Sequence, residues 1–135
     1  MNKSIAIVIP SYNEATNIDV LVKALNETVS NLSYDFKFVF VDDGSSDNTI
    51  AILKEKSKLQ DNIFYVELSR NFGHQNALKA GIDLVKNDAD AIISMDGDMQ
   101  HPPKIIPKLI QKWEEGYEVV YTIREEDKKL SYFKN

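Results

Sequence analysis

Phe38-Val39-Phe40-Val41-Asp42-Asp43-Gly44-Ser45-Ser46-Asp47 is an apolar run stopped by an acidic turn. The run is short, β-branched or aromatic, and ended by Asp-Gly, which is how a buried strand entering a turn reads. The pattern recurs in Ala91-Ile92-Ile93-Ser94-Met95-Asp96-Gly97-Asp98-Met99-Gln100. Carboxylates gathered at the C-terminal ends of parallel strands lie where open α/β sheets bind ligands. Two carboxylates one residue apart also suit a hard divalent cation, which commonly bridges substrate phosphates. Together the clusters point to a metal-assisted reaction on a phosphorylated nucleotide.

Working outward, strand-like and helix-like segments alternate. Residues 4–10, with Ile5-Ala6-Ile7-Val8-Ile9-Pro10, read as a first buried strand. Ile18, Leu21, Val22, Leu25 and Val29 form an i, i+3, i+4 stripe, so an amphipathic helix is expected over 14–31. Residues 36–42 are a second strand. Asp47 is placed to cap a helix over 48–59, with Ile50, Ile52, Leu53 and Leu59 facing inward. A third strand follows over 62–68, then a helix over 74–86 with Ala77, Leu78, Ile82 and Val85 on one side. Residues 89–95 form a fourth strand. Pro103 fits the first turn of a helix over 103–115, Trp113 sits at core spacing, Gly116 is the expected stop, and 118–123 is a fifth strand. This order predicts a three-layer α/β/α fold around a mostly parallel sheet. Arg124 to Asn135 is charged and without a clear period, so the chain reads as the front part of a longer protein. An edge strand left open in this way favours self-association into a homo-oligomer.

Composition narrows the class. The chain has 135 residues, 43% of them apolar and 27% charged, which suits one domain with a real core. A net charge of -5 argues against a general nucleic-acid binder. With no cysteine there is no disulfide, thiolate nucleophile or zinc-thiolate site, which fits a reducing compartment. No stretch reaches the roughly 18 consecutive apolar residues of a membrane span. The first apolar run is too short for a signal peptide.

Four segments carry the chemistry. In Pro10-Ser11-Tyr12-Asn13-Glu14, proline ends the ladder, Tyr12 could stack on a base, and Glu14 could bond a ribose hydroxyl. A strand-to-helix turn capped by Asn13 or Ser11 would look the same. Asp42 and Asp43 point to opposite faces if strand geometry persists. One is then expected to face the crevice and accept a base N–H, and the other to bond neighbouring backbone amides. Arg70 could pair with a phosphate in Ser69-Arg70-Asn71-Phe72-Gly73-His74, which opens a helix whose N-terminus favours anions. His74 reads equally well as a helix-start polar residue and as a functional one. Asp96 and Asp98 can approach one cation together, with Gly97 letting the backbone come close. His101 reads as a solvated loop residue.

Taken together, Pro-Ser-Tyr-Asn-Glu, Val-Asp-Asp-Gly-Ser-Ser-Asp, Arg-Asn-x-Gly and Asp-Gly-Asp-x-Gln-His-Pro-Pro resemble the family 2 inverting glycosyltransferases of GT-A fold. Among them the chain is most similar to the dolichol- or polyprenyl-phosphate sugar transferases. The last run is the most specific element, and the resemblance spans residues 4–124. It implies a nucleotide-diphospho-sugar transferase fold, here incomplete at the C-terminus, with residues 1–135 as its nucleotide-sugar-binding part. It also implies that Pro10, Tyr12, Glu14, Val41 and Asp43 line the nucleoside pocket. Asp96, Gly97, Asp98 and Gln100 would hold Mg²⁺ or Mn²⁺ and the diphosphate, and Arg124 would sit near the donor phosphates. Gly97 stands where relatives often have Ala, and the family's Arg-x-Arg after the fifth strand is reduced to Arg124 followed by Glu125.

The implied reaction moves a sugar from a UDP- or GDP-linked donor to a lipid-phosphate acceptor, with inversion, at the cytoplasmic face of a membrane. Two readings within the family stay open: transfer to a saccharide hydroxyl in cell-surface polysaccharide synthesis, and a fragment that binds nucleotide without turnover. A dinucleotide oxidoreductase lacks its G-x-G-x-x-G after the first strand. An aspartyl phosphotransferase would want its nucleophilic Asp there, where Pro10-Ser11-Tyr12 stands instead.

Overall fold

Strand β1 (Ser4–Ser11) takes the interior of the sheet because neither of its faces needs water: Ile5 through Ile9 are 0% exposed. Near-continuous apolar strands of this kind belong to parallel sheets covered on both faces. The computed structural model describes residues 2–98, 102–122 and 130–134. Contacts divide the chain into two units, residues 1–103 and residues 104–135.

The first unit alternates β1, α1 (Ile18–Val29), β2 (Asp35–Asp42), α2 (Thr49–Leu59), β3 (Ile63–Glu67), α3 (His74–Val85) and β4 (Ala91–Ser94). The four strands are parallel in the order β3-β2-β1-β4, as the alternation predicts. The chain winds outward from β1 to β3, then returns past β1 to lay down β4 on its other side. The direction of winding therefore reverses between β1 and β4, the place where such sheets open a crevice at their carboxyl ends.

Alternation along the strands divides the core in two. Ala6 and Val8 of β1 with Val39 and Val41 of β2 pack against Ala77 and Val85 of α3, and Leu78 and Ile82 join them half-buried. Ile5, Ile7 and Ile9 with Phe36, Phe38 and Phe40 point the other way. They are buried along with Ile18, Leu21 and Leu25 of α1 and Leu53 of α2.

Helices α1 and α2 differ from the sequence expectation in three respects. Helix α1 starts at Ile18 rather than at residue 14, because Glu14 to Asn17 closes a turn of its own through Asn17 N–H to Glu14 O at 2.9 Å. Leu59 is 76% exposed rather than inward. It lies six residues past Leu53, and at 3.6 residues per turn that is well off Leu53's face. The residue at the N-cap position of α2 is Asn48, whose side chain makes no cap bond. Asp47 does the capping from one position earlier, accepting Thr49 N–H at 2.9 Å.

The second unit contains α4 (Ile106–Glu114), entered through a 3₁₀ turn at Pro103–Ile105, then β5 (Tyr117–Thr122) and β6 (Leu130–Lys134). Gly116 ends the helix as expected, with φ 102° and its N–H on Trp113 O at 2.9 Å. The fifth strand is found, and it pairs antiparallel with β6 in a two-stranded sheet of its own. Strand β6 was not expected: Leu130-Ser131-Tyr132-Phe133-Lys134 is short and follows a run of charges, so it reads as a strand only beside its partner. No helix among the described residues is long and apolar enough to cross a membrane.

Helix α3 reaches β1 and β2 closely only because Gly81 has no side chain. A Cβ there would lie 2.4 Å from Val8 Cγ1 and 2.8 Å from Val41 Cγ2. Alanine normally gains about 0.5–1 kcal/mol over glycine inside a helix. Here overpacking against two stiff β-branched side chains outweighs that gain. Gly81→Ala is expected to destabilise the fold by about 1–3 kcal/mol, read as a lowered melting temperature. A rise in melting temperature would contradict the close packing.

Candidate active site

The loop after β1 is locked to the loop after β2 by side chains that replace the ended ladder. Asn13 adopts φ 53°, a left-handed conformation that Asn tolerates better than most residues. From there its Oδ1 accepts Ser46 N–H at 2.8 Å and Asp47 N–H at 3.3 Å, while its own N–H reaches Ser45 Oγ at 2.8 Å. Glu14 N–H donates to Thr49 Oγ1 at 3.0 Å and Ala15 N–H to Asp47 Oδ2 at 3.2 Å. The frame leaves Tyr12 exposed at the crevice and Glu14 half-buried, with Glu14 Oε2 accepting Asn17 Nδ2 at 2.8 Å. Pro10 and Val41 are paired, buried strand residues beneath it, with Val41 packed in the core under α3.

The two neighbouring carboxylates are both buried, and one of them bonds backbone amides rather than facing the crevice. That one is Asp43, whose Oδ1 accepts Phe72 N–H at 2.7 Å and whose Oδ2 accepts Gly73 N–H at 3.1 Å. Asn71 Nδ2 adds a bond to Asp43 O at 3.1 Å. The loop between β3 and α3 is therefore clasped to the end of β2. Gly44 permits the approach: a Cβ would lie 2.4 Å from Asn71 N, and φ there is 72°. Asp42 is 2% exposed, and its Oδ1 has no hydrogen-bond partner among the described residues. It is in register with Glu67 on the next strand.

At the end of β4, Gly97 packs against the first loop. A Cβ there would sit 3.1 Å from Ser11 Oγ and 3.4 Å from Glu14 Cγ. Asp96 is half-buried and Asp98 exposed on either side of it. His74, the first residue of α3, brings Nε2 to 2.8 Å from Asp96 Oδ1. The sequence left His74 undecided, and its signal was only that it opens the helix following the Arg-Asn-x-Gly loop. Arg70 is exposed, with its guanidinium 4.0 Å from the centre of the Phe72 ring and Nη1 on Asn71 O at 3.1 Å. Gln100, His101 and Arg124, all named from the sequence, lie outside the described residues.

The geometry thus brings Tyr12, Glu14, Asp43, Asp96, Gly97 and His74 to the carboxyl end of the sheet. Among the described residues no three His, Cys, Asp or Glu side chains gather as a cage. Mg²⁺-type sites commonly take one or two carboxylates and complete their shell with phosphate oxygens and water, and Asp96 and Asp98 fit that donor set.

Open α/β sheets with acidic loops at such a reversal form a broad class of nucleotide-binding domains. Within that class, the glycosyl transferase family 2 model matches residues 6–134, and the protein belongs to that family. The chain is 41% identical over 129 residues to the uncharacterized glycosyltransferase YkcC of Bacillus subtilis (strain 168), covering 96% of this chain and 39% of the relative. It is 37% identical over 131 residues to the undecaprenyl-phosphate 4-deoxy-4-formamido-L-arabinose transferase of Proteus mirabilis (strain HI4320), again covering 96% and 39%. It therefore spans about two fifths of the length of these relatives. The fold is shared with the mannosyltransferase PcManGT of Pyrobaculum calidifontis, solved in complex with GDP-Man and Mn²⁺. The TM-score is 0.60 and the identity 21%, over 73% of this chain and 28% of that one. The GT-A expectation is thus met.

Titration of the buried pair partner follows from its surroundings. Burial, the largest influence, raises the Asp42 carboxyl above its ordinary 3.8, with Glu67 and Asp47 adding to the rise and hydrogen bonds from Ser45 partly offsetting it. For Asp47 burial also acts upward, but the bonds from Thr49 and Ala15 outweigh it and hold the carboxyl low. A raised acid binds its proton more tightly in the folded state. Its contribution is complete below 3.8 and is lost as pH climbs through the raised value. The melting temperature of Asp42→Asn minus that of the unsubstituted protein is therefore expected to grow as pH rises through that window and then level off. A difference independent of pH would remove the burial penalty from the account.

Proposed function

We propose that residues 1–135 are the donor-binding part of a metal-dependent inverting glycosyltransferase. It moves a sugar from a UDP- or GDP-linked donor to a lipid-phosphate acceptor. The observation that carries this reading is the meeting of the Tyr12–Glu14 loop with Asp96-Gly97-Asp98 at the point where the sheet reverses, with Gly97 against Ser11 and Glu14.

In this reading the exposed Tyr12 ring stacks on the base, Glu14 bonds the ribose, and Asp43 contacts the nucleoside while holding the next loop. Pro10 and Val41 shape the floor beneath them. Asp96 and Asp98, with Gln100, hold Mg²⁺ or Mn²⁺ and the diphosphate, and Arg70 and Arg124 face the donor phosphates. A bound divalent cation supplies positive charge to the diphosphate as it departs. The protein's own task is to fix the donor so that the acceptor meets the anomeric carbon from the face opposite the leaving group. A phosphate acceptor is already anionic and needs no strong general base. The name of the Proteus relative supports a polyprenyl-phosphate acceptor. Such an acceptor would bring the whole protein to the cytoplasmic face of a membrane.

Calorimetric titration of UDP and GDP, with and without Mn²⁺, tests the donor site. Mn²⁺ is expected to tighten binding of one of the two nucleotides. Asp98→Ala should weaken the Mn²⁺-dependent binding by about tenfold or more, ~1.4 kcal/mol or above. Metal-dependent affinity unchanged in Asp98→Ala would overturn the assignment.

A further inference from the structure

His74 and Asp96 are twenty-two residues apart in sequence and come from different strand ends, yet Nε2 and Oδ1 are 2.8 Å apart. A carboxylate oxygen only accepts, so the imidazole Nε2–H is the donor. The His74 side chain is 53% exposed and that of Asp96 21%. A pair that open to water adds little to fold stability. It does fix the rotation of the Asp96 carboxylate, since one oxygen is tied in direction and distance.

The imidazole is itself held. Gly73, immediately before it, has φ 98° and donates its N–H to Asp43 Oδ2, and Phe72 N–H goes to Asp43 Oδ1. Ala77 N–H to Gly73 O at 3.0 Å starts the helix from this anchored residue. A continuous path thus runs from the buried Asp43 carboxylate, through two backbone amides and the first residue of α3, to Asp96.

We propose that His74 is a positioning residue for Asp96: it sets the carboxylate's orientation toward the cation and diphosphate, and Asp43 sets His74. The inference rests on the donor-site reading above, in which Asp96 is a ligand of the metal–nucleotide. Groups that orient a metal-binding carboxylate typically cost 10–100-fold in metal affinity when removed.

The test uses the protein with Mn²⁺ plus UDP and Mn²⁺ plus GDP, with free Mn²⁺ followed by its electron paramagnetic resonance signal, in His74→Ala and His74→Gln. Glutamine keeps an amide N–H that can reach Asp96 but carries no ring and no charge. His74→Ala is expected to weaken Mn²⁺–nucleotide binding about 10- to 100-fold, with the unliganded melting temperature unchanged. His74→Gln should recover most of the loss, which a merely structural or charge role would not produce. Wild-type affinity in His74→Ala, or an equal loss in both variants, overturns the positioning role while leaving the donor site standing. Absence of Mn²⁺-dependent nucleotide binding in the unsubstituted protein overturns the donor-site reading and this inference with it.

Discussion

The structure depends on β1 having a neighbour on each edge and a covered face on each side. Its backbone can then be satisfied only by parallel ladders to β2 and β4, and its side chains only by helices. The polar residues of β1, Ser4 and Ser11, accordingly stand at its two ends. Because the strands are parallel, the ends following β1, β2, β3 and β4 lie on one edge of the sheet. A chain of 135 residues with a plain composition thereby gathers most of its chemistry-bearing side chains in one place.

At that edge the ladders stop and side chains take over their work. Asn13 supplies an acceptor to the second loop, Asp47 and Thr49 answer the backbone of the first, and Asp43 takes two amides of the third. The bonds of Thr49 and Asp43 satisfy part-buried backbone amides, and those of Asn13 and Asp47 tie the exposed ends of the loops together. Asp43 has two duties on this view: it holds a loop and, in the proposed function, contacts the nucleoside. Both can coexist, because each carboxylate oxygen has more than one lone pair. Asp42 is the exception, a buried acceptor whose Oδ1 has no partner among the described residues and whose carboxyl burial raises above its ordinary range.

Strands and helices of the first unit were legible because period two and period 3.6 are carried by nearest neighbours in the chain. Ile5 to Ile9, and the stripe of Ile18, Leu21, Val22 and Leu25, are buried as their spacing requires. Leu59 misled because an apolar residue near a helix end was assigned to a face its spacing does not reach. Helix α1 was drawn too long because Glu14 and Asn17 are acceptable in a helix, and only the bonds to Ser45, Asp47 and Thr49 take their segment out of it. The antiparallel partner of β5 was invisible for a similar reason: a five-residue strand is defined by what lies beside it. Among the site residues, the acidic clusters and Tyr12 stood out by composition and position. His74 did not, since nothing local distinguishes a histidine that opens a helix from one that reaches a carboxylate on another strand.

The sequence by itself determined the alternation of strands and helices, the burial of β1, the acidic turns after β2 and β4, and the family whose motifs those turns carry. These are properties of short windows, where hydrophobic period, turn residues and motif spacing act directly. Only the tertiary structure decided that Gly81 is a packing site, that Asp43 rather than Asp42 clasps the third loop, and that His74 meets Asp96. Those outcomes depend on separations of a few ångströms between segments far apart in the chain, and the parallel crossovers that bring them together leave no trace in the local pattern of either segment.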